Sequence, residues 1–340
     1  MSVLTFKSSE FKTFPPILRE YASHTVNIKG NSEKTVCEYL LDLRTFFRYI
    51  KSKDMPEDPT KEEFEKISIT DIDIRAISTI TPETIYEFLM YTGYERKNST
   101  TTRMRKLSAL RSLYKYVYDK KHYVDKNPVA EIDSPKKAST LPKYLSLEES
   151  VRLLETVRSD TESKTMLRDY TIILLFLNTG MRLSELVGLN LQSLDSELQS
   201  MKVLGKGNKE RIIYLNSAAR SALASYLKSR LDPRFVRTSD NALFLSVRQQ
   251  RISAKTVQWM IYKYLDLAGL GEKGLSVHKL RHTAATLMYQ SGKVDIRVLK
   301  DILGHEQLNT TQIYTHITST NMEQAMDANP LSDLIINGEK

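Results

Sequence analysis

A basic stretch at residues 134–142 constrains the architecture of this 340-residue chain more than any other feature. It has no apolar periodicity, and Pro135 and Pro142 lie near its two ends, as is typical of an extended linker. Single domains usually run to ~100–200 residues, so a chain of this length accommodates two. We therefore predict a first domain over residues 10–133, a linker over 134–142 and a second domain over 143–340.

The first domain is predicted to be helical. Apolar side chains recur every three or four positions over residues 31–51 and again over 99–118. A further helix should begin at Pro82, because Thr81 can cap it and proline is tolerated in a first turn. Between these helices, the acidic segment 56–73 is interrupted by prolines, and we interpret it as an insertion or a long connection.

The charge distribution points to a polyanionic partner. The chain carries a net charge of +9, and binding to phosphates would release condensed counterions. Residues 97–137 hold eleven Lys or Arg against four Asp or Glu, whereas residues 54–73 hold two against eight. The basic side chains of the 99–118 helix are therefore candidate DNA contacts; they are Arg103, Arg105, Lys106, Arg111 and Lys115. A solvated charged face is the alternative that these residues alone leave open.

The second domain is predicted to mix helices with a small hairpin, which makes the fold class mostly α. Ser146 and Glu149 fit a capping box, and a core helix over 168–178 should end at Gly180, a residue able to adopt the left-handed conformation. Strands at 201–204 and 211–215 flank a turn rich in glycine and lysine, the pattern of a β-hairpin. Further helices are predicted at 254–268, 281–291 and 295–303.

Several polar residues of the second domain are candidates for chemistry. Arg182 falls at a predicted helix start, where anions are favoured, although a structural salt bridge to Glu185 is the alternative. His278 and Arg281 are three residues apart and share one helix face. His282 is the residue after Arg281 and therefore lies off that face, so it is predicted to be structural. A zinc site formed by the two histidines would lack a third ligand nearby, so we predict no metal.

Cysteine content and hydropathy set further limits. The single cysteine, Cys37, cannot form an internal disulfide, and its apolar neighbours predict a core position. No apolar run reaches the ~18 residues of a membrane-spanning helix, and the first residues do not resemble a signal peptide. We therefore expect a cytoplasmic protein without a membrane partner.

Four motifs in order resemble the catalytic signature of the tyrosine recombinases, the phage integrase and Xer family. They are Gly180-Met181-Arg182, Gly205-Lys206-Gly207, His278-x-x-Arg281-His282, and Leu303-Gly304-His305 followed by Tyr314. The resemblance covers residues 143–316. The amino-terminal half resembles the family's helical, SAM-like core-binding domain, which binds DNA, although the acidic segment 56–73 is longer than the compact pattern.

The resemblance implies that Tyr314 cuts and rejoins DNA. Attack of its phenol on phosphorus would give a 3′-phosphotyrosyl link, with neither a metal ion nor ATP nor another cofactor. Arg182 and Arg281 suit this chemistry, because preorganised cations can stabilise the charge on the phosphate oxygens in place of a metal. Each guanidinium can also bind two oxygens at once.

The remaining motif residues are assigned supporting or proton-transfer roles. The phenol of the nucleophile has an ordinary pKa near ~10 and needs a proton acceptor, for which His278 is the candidate. The leaving 5′-oxygen needs a proton, which Lys206 at the hairpin tip is predicted to supply, with Lys209 as the competing lysine. Lys209 is also a candidate DNA contact. His305 is predicted to donate a hydrogen bond to the phosphate, and Glu185 to pair with a basic neighbour.

The resemblance also implies an assembly on double-stranded DNA. A helix near residues 319–326 would pack on a neighbouring subunit in a tetramer, composed of one chain or of this chain and a paralogous recombinase. Packing within one subunit is the alternative for that helix. The alternative functions are a type IB topoisomerase and a DNA-binding regulator without catalysis. Chromosome-dimer resolution and mobile-element integration are both compatible with these residues.

Overall fold

The computed structural model describes residues 4–136, 143–205, 209–232, 240–292 and 294–304. The chain divides into two compact units, Met1–Thr140 and Leu141–Lys340, and the division falls inside the stretch predicted as a linker. The fold is mostly helical, with one antiparallel pair of strands in the second unit, which confirms the predicted fold class. None of the helices in the described part of the chain is long and apolar enough to cross a bilayer.

The first unit is a set of helices around one apolar core. A 3₁₀ helix at Ser9–Thr13 is followed by α1 (Pro16–Asn27), α2 (Glu33–Ser52), α3 (Lys61–Lys66), α4 (Ile74–Ser78), α5 (Pro82–Tyr94) and α6 (Thr100–Val117). Hydroxyl side chains of Ser32, Thr81 and Ser99 accept hydrogen bonds from backbone N–H groups in the first turns of α2, α5 and α6. These caps satisfy donors that a helix start leaves unpaired, and they lie where the sequence predicted helix starts.

The core of the first unit forms where α2 packs against α6 and α1. Leu40, Phe46 and Leu110 are buried there, and burial of each such side chain contributes ~1.5–3 kcal/mol. Cys37 is buried in the same core, as the sequence predicted, and burial raises the pKa of its thiol to about 11.

The acidic segment is more ordered than the sequence predicted. A reciprocal capping box between Thr60 and Glu63 begins α3, and Asp73 caps α4. Phe64 and Ile69 are buried against the core, so this segment is part of the unit rather than a long connection.

The second unit surrounds one buried helix. Its helices are α7 (Leu147–Ser159), α8 (Met166–Thr179), α9 (Leu183–Gly188), α10 (Ser217–Arg230), α11 (Ala254–Leu267), α12 (Val277–Gln290) and α13 (Ile296–Leu303). Helix α8 contacts α7, α10 and α12, and Ile172, Leu175 and Phe176 are fully buried. It ends at Gly180, whose φ of +60° is the left-handed conformation predicted there.

The two strands, β1 (Ser200–Leu204) and β2 (Glu210–Tyr214), form the predicted hairpin. Met201 pairs with Ile213 and Val203 with Arg211, and the side chains of Met201, Val203 and Ile213 are buried. The N–H of Gly205 donates to the carbonyl of Lys209 at 2.7 Å and closes the base of the turn.

Candidate active site

The buried carboxylate of Glu185 organises the amino-terminal end of α9. Met181 is buried directly after the left-handed Gly180, and Arg182 follows as the residue before the helix. The N–H of Arg182 donates to one oxygen of Glu185 at 2.7 Å, and its Nη1 donates to the other at 2.9 Å. Both alternatives for Arg182 therefore have a structural basis, because the residue lies at a helix start and is also paired with Glu185.

Glu185 holds a second arginine that sequence analysis did not single out. Arg211 on β2 donates from Nη1 to Oε1 at 2.6 Å and from Nη2 to Oε2 at 2.9 Å. Burial by itself raises the pKa of Glu185, but the hydrogen bonds from Arg211 and from the Arg182 backbone outweigh it, and the pKa lies below its usual value. The carboxylate is therefore ionised at neutral pH and accepts four hydrogen bonds.

Arg281 reaches the same region from α12. It is 2% exposed, and it donates to the carbonyl of Gly180 and to that of Leu303, each at 2.6 Å. Arg182 donates from Nη2 to the carbonyl of the next residue, Gly304, at 2.9 Å. The structure thus brings the two predicted arginines to one place, the carboxyl end of α13, where unpaired carbonyls attract cations.

The end of α13 is fixed by Gly304. Its φ is +61°, the left-handed conformation that glycine adopts at low cost, and the helix stops there as predicted. The next residue is His305. His305, Lys206 and Tyr314 all lie outside the described residues, so their assigned roles remain predictions.

His278 lies on α12, one turn before Arg281, with its side chain exposed. Desolvation by the surrounding protein lowers the pKa of His278, and the positive charges of Arg281 and Arg182 lower it further. A neutral imidazole can accept a proton, so this environment suits a general base at neutral pH.

His282 is 9% exposed and has a different environment. Burial, with smaller contributions from His278 and Lys279, lowers its pKa to about 4. It stays neutral at pH 7, and the structural role assigned to it remains a prediction. Within the described part of the chain, no three His, Cys, Asp or Glu side chains come close enough together to hold a metal ion.

The basic residues predicted on α6 do not share one environment. The structure contradicts the prediction for Lys106, which is 7% exposed and forms a salt bridge with the buried Asp42 at 2.9 Å. Arg105 also contacts Asp42 at 2.9 Å. A buried cation is costly without a partner, so the pairing with Asp42 makes Lys106 part of the core of the first unit and not of its exposed basic face.

The other predicted DNA contacts are more accessible. Arg111 and Lys115 are exposed on α6, and Arg111 donates to Ser134 at 2.9 Å, whereas Arg103 is partly buried. In the second unit, Lys209 is exposed at the base of the hairpin turn. These four residues remain candidates for phosphate contacts, and so does Arg105, whose side chain is 39% exposed.

Both halves of the chain match models of one protein family. Residues 143–321 match the phage integrase family, and residues 62–121 match the SAM-like amino-terminal domain of phage integrases. The first match covers more than half of the chain, and it includes every motif on which the resemblance was based. The chain therefore belongs to the phage integrase family of tyrosine recombinases.

Within this family the chain is similar to Xer recombinases. It is 44% identical over 325 residues to "Tyrosine recombinase XerC" of Caldanaerobacter subterraneus subsp. tengcongensis, a match that covers 94% of this chain and 88% of the relative. It is 35% identical to "Tyrosine recombinase XerC" of Thermodesulfovibrio yellowstonii over 319 residues, or 93% and 96% of the two chains. These matches confirm the resemblance to Xer enzymes.

Solved structures share the fold at lower sequence identity. The XerH site-specific recombinase bound to difH substrate matches with a TM-score of 0.66 and 23% identity, covering 96% of this chain and 90% of that one. The integrase of the Tn1549 transposon, in complex with circular intermediate DNA, matches with a TM-score of 0.66 and 19% identity, covering 92% and 99%.

Proposed function

We propose that this chain is a site-specific DNA recombinase that cuts and rejoins DNA through a 3′-phosphotyrosyl intermediate on Tyr314, with neither a metal ion nor ATP. The observation that carries the proposal is the convergence of Arg182 and Arg281 on the adjacent carbonyls of Gly304 and Leu303. Two guanidinium groups held side by side by main-chain acceptors are arranged to receive the oxygens of one phosphate.

The chemistry follows from this arrangement. The phenolic oxygen of Tyr314 attacks the scissile phosphorus and forms a P–O bond, while the bond from phosphorus to the 5′-oxygen breaks. Arg182 and Arg281 stabilise the negative charge that builds up on the non-bridging oxygens. The phosphodiester is exchanged for a phosphotyrosyl ester of similar energy, so attack by another 5′-hydroxyl reverses the step without ATP.

Proton transfer is assigned to His278 and to a lysine of the hairpin. The neutral His278 accepts the phenolic proton, and its lowered pKa keeps it in that form at neutral pH. The leaving 5′-oxygen takes a proton from Lys206, with Lys209 as the competing donor. The position of the hairpin supports this assignment, because its base at Gly205 lies close to Glu185. A Cβ added to Gly205 would lie 3.7 Å from Oε1 of Glu185.

Double-stranded DNA is the proposed partner, and the site acts in a tetramer of one chain or of this chain with a paralogous recombinase. The exposed Arg111 and Lys115 of α6 supply phosphate contacts in the first unit. Among proteins that share the fold, one solved structure is a lambda integrase tetramer bound to a Holliday junction. We assign the chain to the cytoplasm, where it acts on DNA in the manner of the Xer enzymes that it resembles.

The nucleophile can be tested with a duplex selected from a randomised pool for binding to the full chain. The selected duplex is then synthesised with a nick near the cleavage position, so that a small product diffuses away and the covalent complex accumulates. We expect an adduct that resists detergent with the unmodified chain, and no adduct with Tyr314→Phe, which should bind DNA as tightly as before. Tyr262→Phe, on the exposed face of α11, is the matched control. An unchanged adduct yield in Tyr314→Phe would refute the assignment.

A second measurement separates a recombinase from a topoisomerase. Two selected duplexes of different length, mixed with the protein and a chelator, should give products of recombinant length. Relaxation of a supercoiled plasmid without such exchange would favour the type IB topoisomerase alternative. Loss of cleavage on addition of the chelator would contradict metal-free chemistry.

A further inference from the structure

We propose that Arg211 is a positioning residue for the recombination reaction, which keeps Arg182 available to the scissile phosphate by occupying Glu185. The inference rests on the proposed function, because it concerns the same phosphate site. In the described part of the chain the side-chain hydrogen bonds of Arg211 go to Glu185, whereas Arg182 and Arg281 donate to the carbonyls at the end of α13, so Arg211 acts through another residue.

The two arginines share Glu185 unequally. Arg211 contacts both carboxylate oxygens, one from each terminal nitrogen, in the bidentate geometry that a planar guanidinium prefers. The side chain of Arg182 contacts only Oε1, and its other terminal nitrogen points to the carbonyl of Gly304. The side chain of Arg211 is 17% exposed and that of Arg182 is 33% exposed, so the more accessible guanidinium is the one with a single carboxylate contact.

Removal of Arg211 would change the partner of Arg182. The side chain of Glu185 is 1% exposed, and an ionised carboxylate at that depth requires compensation by a cation. Arg182 is the remaining guanidinium with a hydrogen bond to Glu185 in the described structure, and a bidentate contact would require it to rotate away from Gly304. The expected result is a site in which Arg182 is captured by Glu185 instead of facing the phosphate.

Arg211 is also packed between the hairpin and the end of α13. A Cβ added to Gly304 would lie 3.2 Å from Nη1 of Arg211, and one added to Gly205 would lie 3.6 Å from the same nitrogen. Glycine at both positions leaves room for the guanidinium. The side chain of Arg211 therefore connects two elements of the site. One is β2, the strand that follows Lys206 in the sequence, and the other is Gly304, the residue before His305.

The test compares Arg211→Met with the unmodified chain on two forms of the selected nicked duplex. One form carries an ordinary scissile phosphate, and the other carries a methylphosphonate, in which one charged oxygen is replaced by a neutral methyl group. On the phosphate we expect adduct formation at saturating DNA to slow by roughly 10- to 100-fold, less than the ~10²- to 10³-fold cost of losing a stabilising donor outright, because Arg182 is displaced and not removed. The affinity for DNA should change by less than about 3-fold, because few phosphate contacts are altered.

The methylphosphonate distinguishes positioning from a general structural effect. The neutral substrate develops less negative charge and depends less on Arg182, so the defect of Arg211→Met should shrink several-fold on it, as that of Arg182→Ala should. Equal defects on both substrates would show that Arg211 only supports the fold and would overturn the inference. Arg220 is a partly exposed arginine that pairs with Gln199, and Arg220→Met is the control that should have no effect on either substrate.

A rescue experiment adds an independent criterion. In Glu185→Gln/Arg211→Met the neutral amide no longer captures Arg182, so we expect the double variant to cleave faster than Arg211→Met alone. A double variant that is slower than the single one would contradict the inference. Arg211→Lys keeps the charge with a single contact and should show an intermediate defect; if neither Arg211 variant folds by circular dichroism, the residue is structural and the inference is wrong.

The outcomes also separate this inference from the proposed function. If the unmodified chain forms no adduct that depends on Tyr314, the proposed function fails whatever Arg211 does. If it forms the adduct and Arg211→Met forms it equally fast, only the role of Arg211 is refuted.

Discussion

Arg182 and Arg281 donate to the carbonyls of consecutive residues, Gly304 at 2.9 Å and Leu303 at 2.6 Å. The two side chains come from different helices, so their proximity is a property of the folded second unit. The carboxyl ends of helices carry partial negative charge on unpaired carbonyls, which stabilises cations there. A site aligned in this way needs little reorganisation when the negative charge of a reacting phosphate develops.

Removal of either arginine should slow cleavage more than it weakens DNA binding. We expect Arg182→Ala and Arg281→Ala to reduce the rate of adduct formation at saturating DNA by ~10²- to 10³-fold. Arg220→Ala should retain the full rate. A loss of binding as large as the loss of rate would show that the arginines bind DNA without stabilising the transition state.

The pH profile of cleavage should report the environment of His278. Its pKa is lowered below the usual 6.5, so the neutral form persists to lower pH than for a free histidine. At subsaturating DNA, the rate should therefore stay level through pH 6.5 and fall only at a pH below that value. His278→Gln should be slow and should lack this acid limb; an identical limb in the variant would assign it to another group.

His282 should make the stability of the second unit depend on pH. Its folded pKa of about 4 lies below 6.5, so between these values the unfolded chain binds a proton that the folded chain does not. Acidification through this window therefore favours unfolding, by about 3 kcal/mol at most, and the effect is absent above pH 6.5. Melting temperatures at pH 7.5 and pH 5 should differ more for the unmodified chain than for His282→Gln, and equal differences would contradict this.

Lys106 and Lys115 lie on the same helix and should behave in opposite ways. Lys115→Ala should weaken DNA binding and reduce the slope of log affinity against log salt by about 1. Lys106→Met should leave that slope unchanged but destabilise the first unit by about 1–3 kcal/mol, because Asp42 loses its buried partner and keeps only Arg105. A reduced salt slope for Lys106→Met would restore Lys106 as a DNA contact.

A side chain at Gly180 should be destabilising for two reasons, the positive φ of the backbone and a clash with Leu303. Gly269 has the positive φ without the clash, so it separates the two effects. Gly180→Ala and Gly269→Ala both place alanine at positive φ, at +60° and +67°, which costs about 1–2 kcal/mol each. Only at Gly180 would the new Cβ meet another group, a methyl of Leu303 at 2.8 Å. We expect the strained backbone to lower the melting temperature of both variants by a similar amount. Gly180→Ala alone should lose further stability and should also cleave DNA more slowly. Equal cleavage by both variants would show that the Gly180 carbonyl does not position Arg281.

Local signals explain what the sequence predicted correctly. The starts of α2, α5 and α6 depend on hydroxyl caps, and the ends of α8 and α13 depend on glycine, so each could be predicted from neighbouring residues. Helix α10 was missed, because its alternating alanine and serine residues give only a weak apolar periodicity. Helix α3 was missed because it is short and lies in a segment dominated by prolines and acidic residues.

The features that could not be predicted from the sequence depend on pairs of side chains that are far apart along the chain. Lys106 was predicted to be on the surface because its neighbours are basic, but its environment is set by Asp42, which is 64 positions away. Arg211 was overlooked for the same reason, since its partner Glu185 is 26 positions away and β2 contains nothing that marks the pair. Arg182 and Arg281 were identified through the motifs of a known family, and their shared acceptors required the three-dimensional structure.

The acceptors on which Arg182 and Arg281 converge are main-chain oxygens of residues 180, 303 and 304. A main-chain oxygen is present whichever amino acid occupies a position, so a substitution at residue 180, 303 or 304 does not by itself remove the acceptor. As long as both arginines are kept, substitutions elsewhere can disturb these contacts only by changing the path of the main chain, and that path is most sensitive at the left-handed Gly180 and Gly304. We therefore expect the aligned arginines to survive extensive divergence of the surrounding core, provided that both helix ends keep their path.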